Sequence, residues 1–578
     1  MKKISITLMV AGLLVVHAIH GQSIQDGVND IYAERYKSAK ATFEKLIASN
    51  PNNIDAIYWL GQTYIGMGDI AGAKIVYDKA LLASANAPLV IVGMGQVELN
   101  EKKISEARQR FEAAITMTRG KKGDDPVILN AVGRAITNTY NAKEKTGGDI
   151  DYAVQKLEAA AVRDPKNADI FLNLGNALRK ARPGEGGGPA FTNYQKASDA
   201  NPNFPVPYYR MAQLFITQRN WDLYEKYLNE AISKDPRFAP AYYDLYYYKL
   251  SRKDFAAAQD MATKYIANSD PDPQAEHFRA QTYWAEKKYD DAINISKAVM
   301  TKAGAQTKAR TYILLADSYL SKGDTVSGRP YIDEFFARAK SEEITPIHYR
   351  IKADIYSAVP GQDELVYNAY LDAVKADTTT DGKIELIKQG AALFKKKGVR
   401  EKEGDMLAML VQTRPKLSIN DLFDATRAYY FALAYPKSLE MASKMKENFP
   451  NEVYGYEWVF NNFKILDSSY TENKLIPAAT DYFEFSQKDT AKYKKQYLAS
   501  AGFLLGYYAN EAKDGAKALE YLNKMLLLDP ANESLLKIKP QLEKSVKQSS
   551  PKSSSSNRGI KADLIGTKQE NNKEINTV

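Results

Sequence analysis

Few side chains in this sequence are equipped for covalent or acid–base chemistry. Cysteine is absent, which removes disulfides, thiolate nucleophiles and cysteine-held zinc or iron–sulfur centres together. Of the four histidines, His17 and His20 sit in an apolar leader, leaving His277 and His348 far apart along the chain. That spacing supports neither a histidine-based zinc site nor a Ser-His-Asp arrangement. Aspartate and glutamate are everywhere, and no spacing singles out a catalytic pair. The stretch Arg182-Pro-Gly-Glu-Gly-Gly-Gly-Pro189 has the glycine content of a phosphate cradle. It lacks the preceding strand and the Gly-Lys-Ser/Thr ending, and reads as a flexible, non-helical extension of a helix–helix connection. The sequence is therefore read as non-catalytic, with no cofactor and no metal. The suggestive residues are aromatic: 39 tyrosines, densest at Tyr242, Tyr243, Tyr246, Tyr247 and Tyr248, with Tyr208 and Tyr209 upstream. Tyr242 and Tyr246 fall on packing positions. Tyr243 and Tyr247 lie four apart on the other side, where tyrosine pairs anchor interfaces or stack on sugar rings.

The elements that position these residues announce themselves by spacing. Gly61 is followed by Tyr64, Ala73, Tyr77 and Ala80; Gly95 by Ala107, Phe111 and Ala114; Gly506 by Ala518, Leu522, Met525 and Pro530. Gly27, Gly133 and Gly175 open variants of the same phrase, the last two with extra residues in the connection. The period is about 34 residues, that of stacked helical hairpins. Helices of about 13 residues are marginal alone in water, so each must bury a face on its neighbours. The small residues mark where two helices approach closely, and Tyr64 and Tyr77 fill the space they leave. Asn50-Pro51, Asp164-Pro165, Asn201-Pro202, Asp235-Pro236 and Asp529-Pro530 end second helices, because a residue preceding proline is pushed out of the α region.

This grammar resembles the tetratricopeptide repeat over most of 22–532, strongly at 22–202 and 499–532 and weakly at 383–495. The resemblance implies an all-α, right-handed superhelical solenoid of about fourteen hairpins. Its parts are better-conforming repeats over 22–378, degenerate repeats and a regular last one over 379–532, and a capping helix over 533–548. Leu535, Leu536, Ile538 and Leu542 would form the cap's apolar face, with Pro540 inside it. The resemblance further implies a concave groove for a peptide or protein, lined by the ninth residue of each repeat. Those residues are Gln62, Gln96, Arg134, Asn176, Gln213, Tyr247, Gln281, Asp317 and Asp354. Fifth positions add Tyr58, Tyr209, Tyr243 and His277. A row of amides offers donors and acceptors to an extended peptide, although groove residues that merely face water are polar too. The family's carboxylate clamp needs Lys and Asn four apart on one helix, a pair this chain does not supply.

The formal net charge of +9 includes Lys2 and Lys3, and no run of five or six Lys/Arg suggests a nucleic-acid footprint. Residues 1–21 read as a signal peptide: a basic start, an apolar core from Ile4 to Ile19, and Gly21-Gln22 as the cleavage point. No cysteine follows for lipidation and no second apolar run follows for spanning a membrane. The mature chain is expected in the periplasm or at the cell surface. The tail, 549–578, rich in Ser, Asn and Lys, is expected to be disordered. Function is read as an envelope scaffold for protein or peptide partners, perhaps in a secretion, motility or transport complex. The alternative is a glycan-binding protein of nutrient uptake, in the manner of the starch-binding SusD-like family.

Overall fold

In the computed structural model the described residues are 23–83 and 87–549. The signal peptide expected over 1–21 and nearly all of the tail expected over 549–578 lie outside them. Among the described residues there are 29 α-helices, which pair in chain order into fourteen hairpins followed by one last helix. The chain divides into two units, 1–343 and 344–578. The first holds nine hairpins, from Ile24–Tyr32 with Tyr36–Ser49 to Ala309–Ser321 with Thr325–Arg338. The second holds five, from Pro346–Ser357 with Asp363–Ala376 to Lys494–Asn510 with Gly515–Leu528. The weakly patterned stretch contains three complete hairpins, beginning with Thr380–Lys397 and Arg400–Thr413.

The helix ends follow the backbone chemistry. Asn50, Asp164, Asn201, Asp235 and Asp529 each cap the C-terminus of a second helix with φ near −130° to −143°, the extended geometry that a following proline enforces. Asn53, Asp149, Asn167 and Asn220 cap N-termini with their side-chain oxygens, satisfying amides that the helix leaves orphaned.

The glycines earn their place through one aromatic or leucine side chain each. A Cβ on Gly61 would sit 2.1 Å from the Tyr77 ring, on Gly95 2.5 Å from Phe111, on Gly133 2.3 Å from Leu157 and on Gly175 2.5 Å from Tyr194. The large residue of the second helix thus lies flat on the first. In the degenerate region Gly390 takes Met406 in the same way, 2.5 Å away. Gly506 does not: a Cβ there would meet open space.

Two expectations need correcting. The stretch 182–189 is not a flexible extension throughout, because Gly187–Ala200 is helix from its first glycine. Pro189 falls in the first turn, where the amide it lacks has no partner to lose. In the last helix, Glu533–Ser549, Leu535 is 7% exposed and joins Leu505, Ala518 and Leu522, with Leu542 packed alongside. Leu536 and Ile538, however, face outward at 47% and 38% exposure. One helical stripe covers the end of the second unit, narrower than the four leucine and isoleucine positions suggested.

Candidate functional site

The polar residues of the first unit converge on Asp169, near the start of helix Ala168–Ala181. One carboxylate oxygen accepts from Arg134 Nη1 at 2.6 Å, Asn130 Nδ2 at 2.7 Å and Asn173 Nδ2 at 3.1 Å. The other accepts from the Tyr32 hydroxyl. Burial, and then the Asp169 charge, push the Tyr32 pKa well up, so the hydroxyl remains a donor. Asn173 also donates to Asn130 at 2.9 Å. Arg134 completes the cluster by donating to the Tyr58 hydroxyl at 3.0 Å and lying over the Trp59 ring, 4.4 Å from its centre.

Tyr32 comes from the first hairpin, 137 residues before Asp169, and it does not come alone. The turn that follows it is clasped to the seventh hairpin. Arg35, 8% exposed, pairs with Asp30 at 2.7 Å and donates to the Arg237 carbonyl at 2.6 Å. The Lys37 amide and the Ser38 hydroxyl both reach Asp270 at 2.6 Å. Ala33 is buried beside Phe171, Leu172 and Phe238, and the Tyr32 ring meets Phe204 edge-on at 5.4 Å. The Ser38–Asp270 bond spans 232 residues, about seven repeats of roughly 34 residues. Seven hairpins therefore make one turn, and the chain's own start closes it.

The concave side consequently forms a half-open cavity of about 730 Å³. Gln62, Gln96, Arg134 and Asn176 all line it. The first three are buried rather than solvent-facing, at 7%, 1% and 7% exposure. Gln62 Nε2 donates to Gln96 Oε1 at 2.8 Å and to the Tyr77 hydroxyl at 3.1 Å, while Asn176 accepts from the Tyr194 hydroxyl at 2.9 Å. The amides of successive repeats thus bond to each other and to the core tyrosines. The remaining sequence-selected residues gather elsewhere. Gln213 donates to Asp244, which Tyr209 and Tyr224 also serve as donors. Tyr243 and Tyr247 are 37% and 36% exposed and stand edge-to-face, 4.9 Å between centres, with Phe278 against both. His277 is buried with Nδ1 unpartnered. Gln281 accepts from the Tyr246 hydroxyl at 3.4 Å. Tyr32, Asn130, Asp169, Asn173, Arg179 and Arg210 escaped the sequence reading because none sits at a ninth or fifth position except Asn130, whose repeat was entered through Arg134 alone.

Two titratable groups, the half-buried Asp244 and the buried His277, are pushed in opposite directions. Asp244 is pushed up to about 6 by burial, against the hydrogen bonds from Tyr209, Tyr224 and Gln213 and with a small push from Glu34. Its folded pKa exceeds the unfolded value of about 4, so the stability it lends is full below pH ~4 and is lost as pH rises through 6. His277 is pushed down to about 3 by burial, then by Arg310 and Lys308. Its contribution is full above the unfolded pKa of about 6.5 and is lost as pH falls toward 3. Relative to the parent, D244N should gain stability as pH rises from about 4 to about 6, and H277N as pH falls from about 6.5 to about 3, at up to ~1.4 kcal/mol per unit of pKa difference. Urea midpoints across pH test this; parallel curves for parent and variants would refute it.

A stack of antiparallel helical hairpins, each contacting its chain neighbours, defines an α-helical repeat protein of the interaction-scaffold class. The family model described as tetratricopeptide repeat matches residues 31–91, and the other described helices pair into hairpins in the same chain order. That match and the all-α stack of hairpins support a protein of the tetratricopeptide-repeat kind. Among solved structures it is similar to the C-terminal part of a TPR repeat-containing protein from Cytophaga hutchinsonii, at 22% identity over 45% of this chain and 98% of that one, TM-score 0.25. It is also similar to a human IFIT1 dimer with m7Gppp-AAAA, at 12% identity over 74% and 96%, TM-score 0.42. Yeast Tom70 matches at 12% identity over 67% and 98%, TM-score 0.34. At these identities and scores, what those proteins bind has no bearing on this chain.

Proposed function

We propose that this is an exported, non-catalytic scaffold of the bacterial cell envelope. It holds a protein or peptide partner at the concave face of its first unit, within a secretion, motility or transport complex. The observation that carries the reading is the cavity of about 730 Å³, which combines amides from several repeats with aromatic and cationic walls. Such a mixture suits backbone and side-chain hydrogen bonding to a polypeptide. Export rests on the basic, apolar leader with its Gly21-Gln22 junction.

Crosslinking tagged protein in intact envelopes, with mass spectrometry of partners and sites, tests the reading. One dominant partner crosslinked near Tyr36, Asn176 or Arg210 is expected, on a chain whose N-terminus is Gln22. Recovery of no partner, or an intact Met1 on a cytosolic protein, would refute it. The exposure of Tyr243 and Tyr247 favours a second reading, glycan binding. Failure to bind any member of a polysaccharide panel would remove that one.

A further inference from the structure

We infer that the cavity lined by the first six hairpins is an anion-selective site that takes the Asp or Glu side chains of a protein partner. This rests on the peptide-binding reading above and adds the partner's charge to it.

Three of the four cations in the walls have no carboxylate paired with them. Arg134, Arg179, Lys180 and Arg210 line the cavity, and the one carboxylate among its described lining residues is Glu34. Arg134 has Asp169 at 2.6 Å. Among the described residues no carboxylate lies within ion-pair distance of Arg179, Lys180 or Arg210, whereas most part-buried cations of this unit do have one, as Arg35 with Asp30 and Lys249 with Glu225. Lys180 is held by two backbone carbonyls, Thr137 at 2.6 Å and Tyr140 at 3.0 Å. These fix its position and leave its charge. Burial, and then the neighbouring Arg210, depress its pKa, the response expected of a cation crowded by another cation away from water. The Nε atoms of Arg134 and Arg210 are buried and have no hydrogen-bond partner. An unpaired buried donor on a cation costs free energy that an incoming anion recovers.

Guanidinium forks match carboxylates in two-pronged geometry. The other walls suit the rest of a peptide: Asn176 offers its amide N–H donors, while Tyr36 and Trp59 offer apolar faces. Closure by the first hairpin argues against a nucleic-acid duplex, which needs an open basic stripe to follow its phosphates. Specificity of this kind comes from charge complementarity more than from area.

The test uses the full chain, fluorescently tagged, on an array of matched octapeptides that differ only in carrying Glu or Gln at two positions. Glu members should bind about tenfold more tightly, the preference should shrink at high salt, and R179Q/R210Q should abolish it while the circular dichroism spectrum is unchanged. Equal binding of Glu and Gln members overturns the anion preference and leaves the peptide-binding reading standing. A Glu preference that survives in R179Q/R210Q overturns this site. Binding to no member at all overturns both. Displacement of Glu members by inorganic phosphate at equal concentration would assign the site to phosphate instead and overturn the carboxylate commitment.

Discussion

Asp169→Ala is expected to cost the first unit about 1–3 kcal/mol, the penalty for leaving the donors around a part-buried carboxylate unsatisfied. The carboxylate accepts from Arg134, Asn130, Asn173 and Tyr32 at once. Its removal leaves the Arg134 guanidinium, whose residue is 7% exposed, without an anion. The loss has a second consequence, because Asp169 is where the Tyr32 hydroxyl ends. Without it the first hairpin keeps its bonds to Arg237, Asn268, Asp270 and Pro271. Amide hydrogen exchange should therefore accelerate in Pro126–Thr139 and Ala168–Ala181, and also in Ile24–Tyr32, far away in sequence. Asp169→Asn keeps the shape and one acceptor, and should cost less. Exchange that rises in the two later helices but not in Ile24–Tyr32 would show that the closure of the turn does not depend on this carboxylate.

That closure marks the limit of what the sequence reveals. Spacings within a repeat are local: Gly61 and Tyr77, or Ala518 and Leu522, lie within one hairpin, so a fixed register of small and large residues discloses their contact. Even the Gln62–Gln96 bond is legible, since residues 34 apart occupy one position of successive repeats. Tyr32 with Asp169, and Ser38 with Asp270, are different. They meet because small rotations between neighbouring hairpins accumulate over a turn, and no pattern of residue types encodes that sum. Its effect reaches the candidate site. The ninth-position residues expected along a groove are partly buried in the wall of a half-open cavity, and the cations Arg179 and Arg210 that give the cavity its charge stand at positions the repeat pattern does not mark. The three hairpins between Thr380 and Gln487 fail to show in sequence for another reason. There the filling side chains are swapped among Met406, Tyr429 and others, which preserves packed volume while erasing the consensus.

The other large effect belongs to Tyr77. Its side chain is fully buried between two glycines: a Cβ on Gly61 would lie 2.1 Å from its ring, and one on Gly93 2.4 Å. Its hydroxyl donates to the Tyr58 carbonyl at 2.9 Å and accepts from Gln62. Tyr77→Ala should cost about 3–5 kcal/mol, since two facing glycines cannot grow into the space left. Tyr77→Phe should cost only about 1 kcal/mol, the net worth of a typical hydrogen bond. Gly93→Ala offers a test by sign. In the parent the new methyl collides with the ring and should destabilise by about 1–3 kcal/mol. In the Tyr77→Ala background the collision is gone, and the same change should stabilise by up to about 1 kcal/mol, alanine's advantage over glycine inside a helix. Because each hairpin's stability depends mainly on its neighbours, hydrogen exchange across residues 54–100 should report all four variants. If Gly93→Ala changed stability by the same amount in both backgrounds, the ring would not be what keeps position 93 glycine.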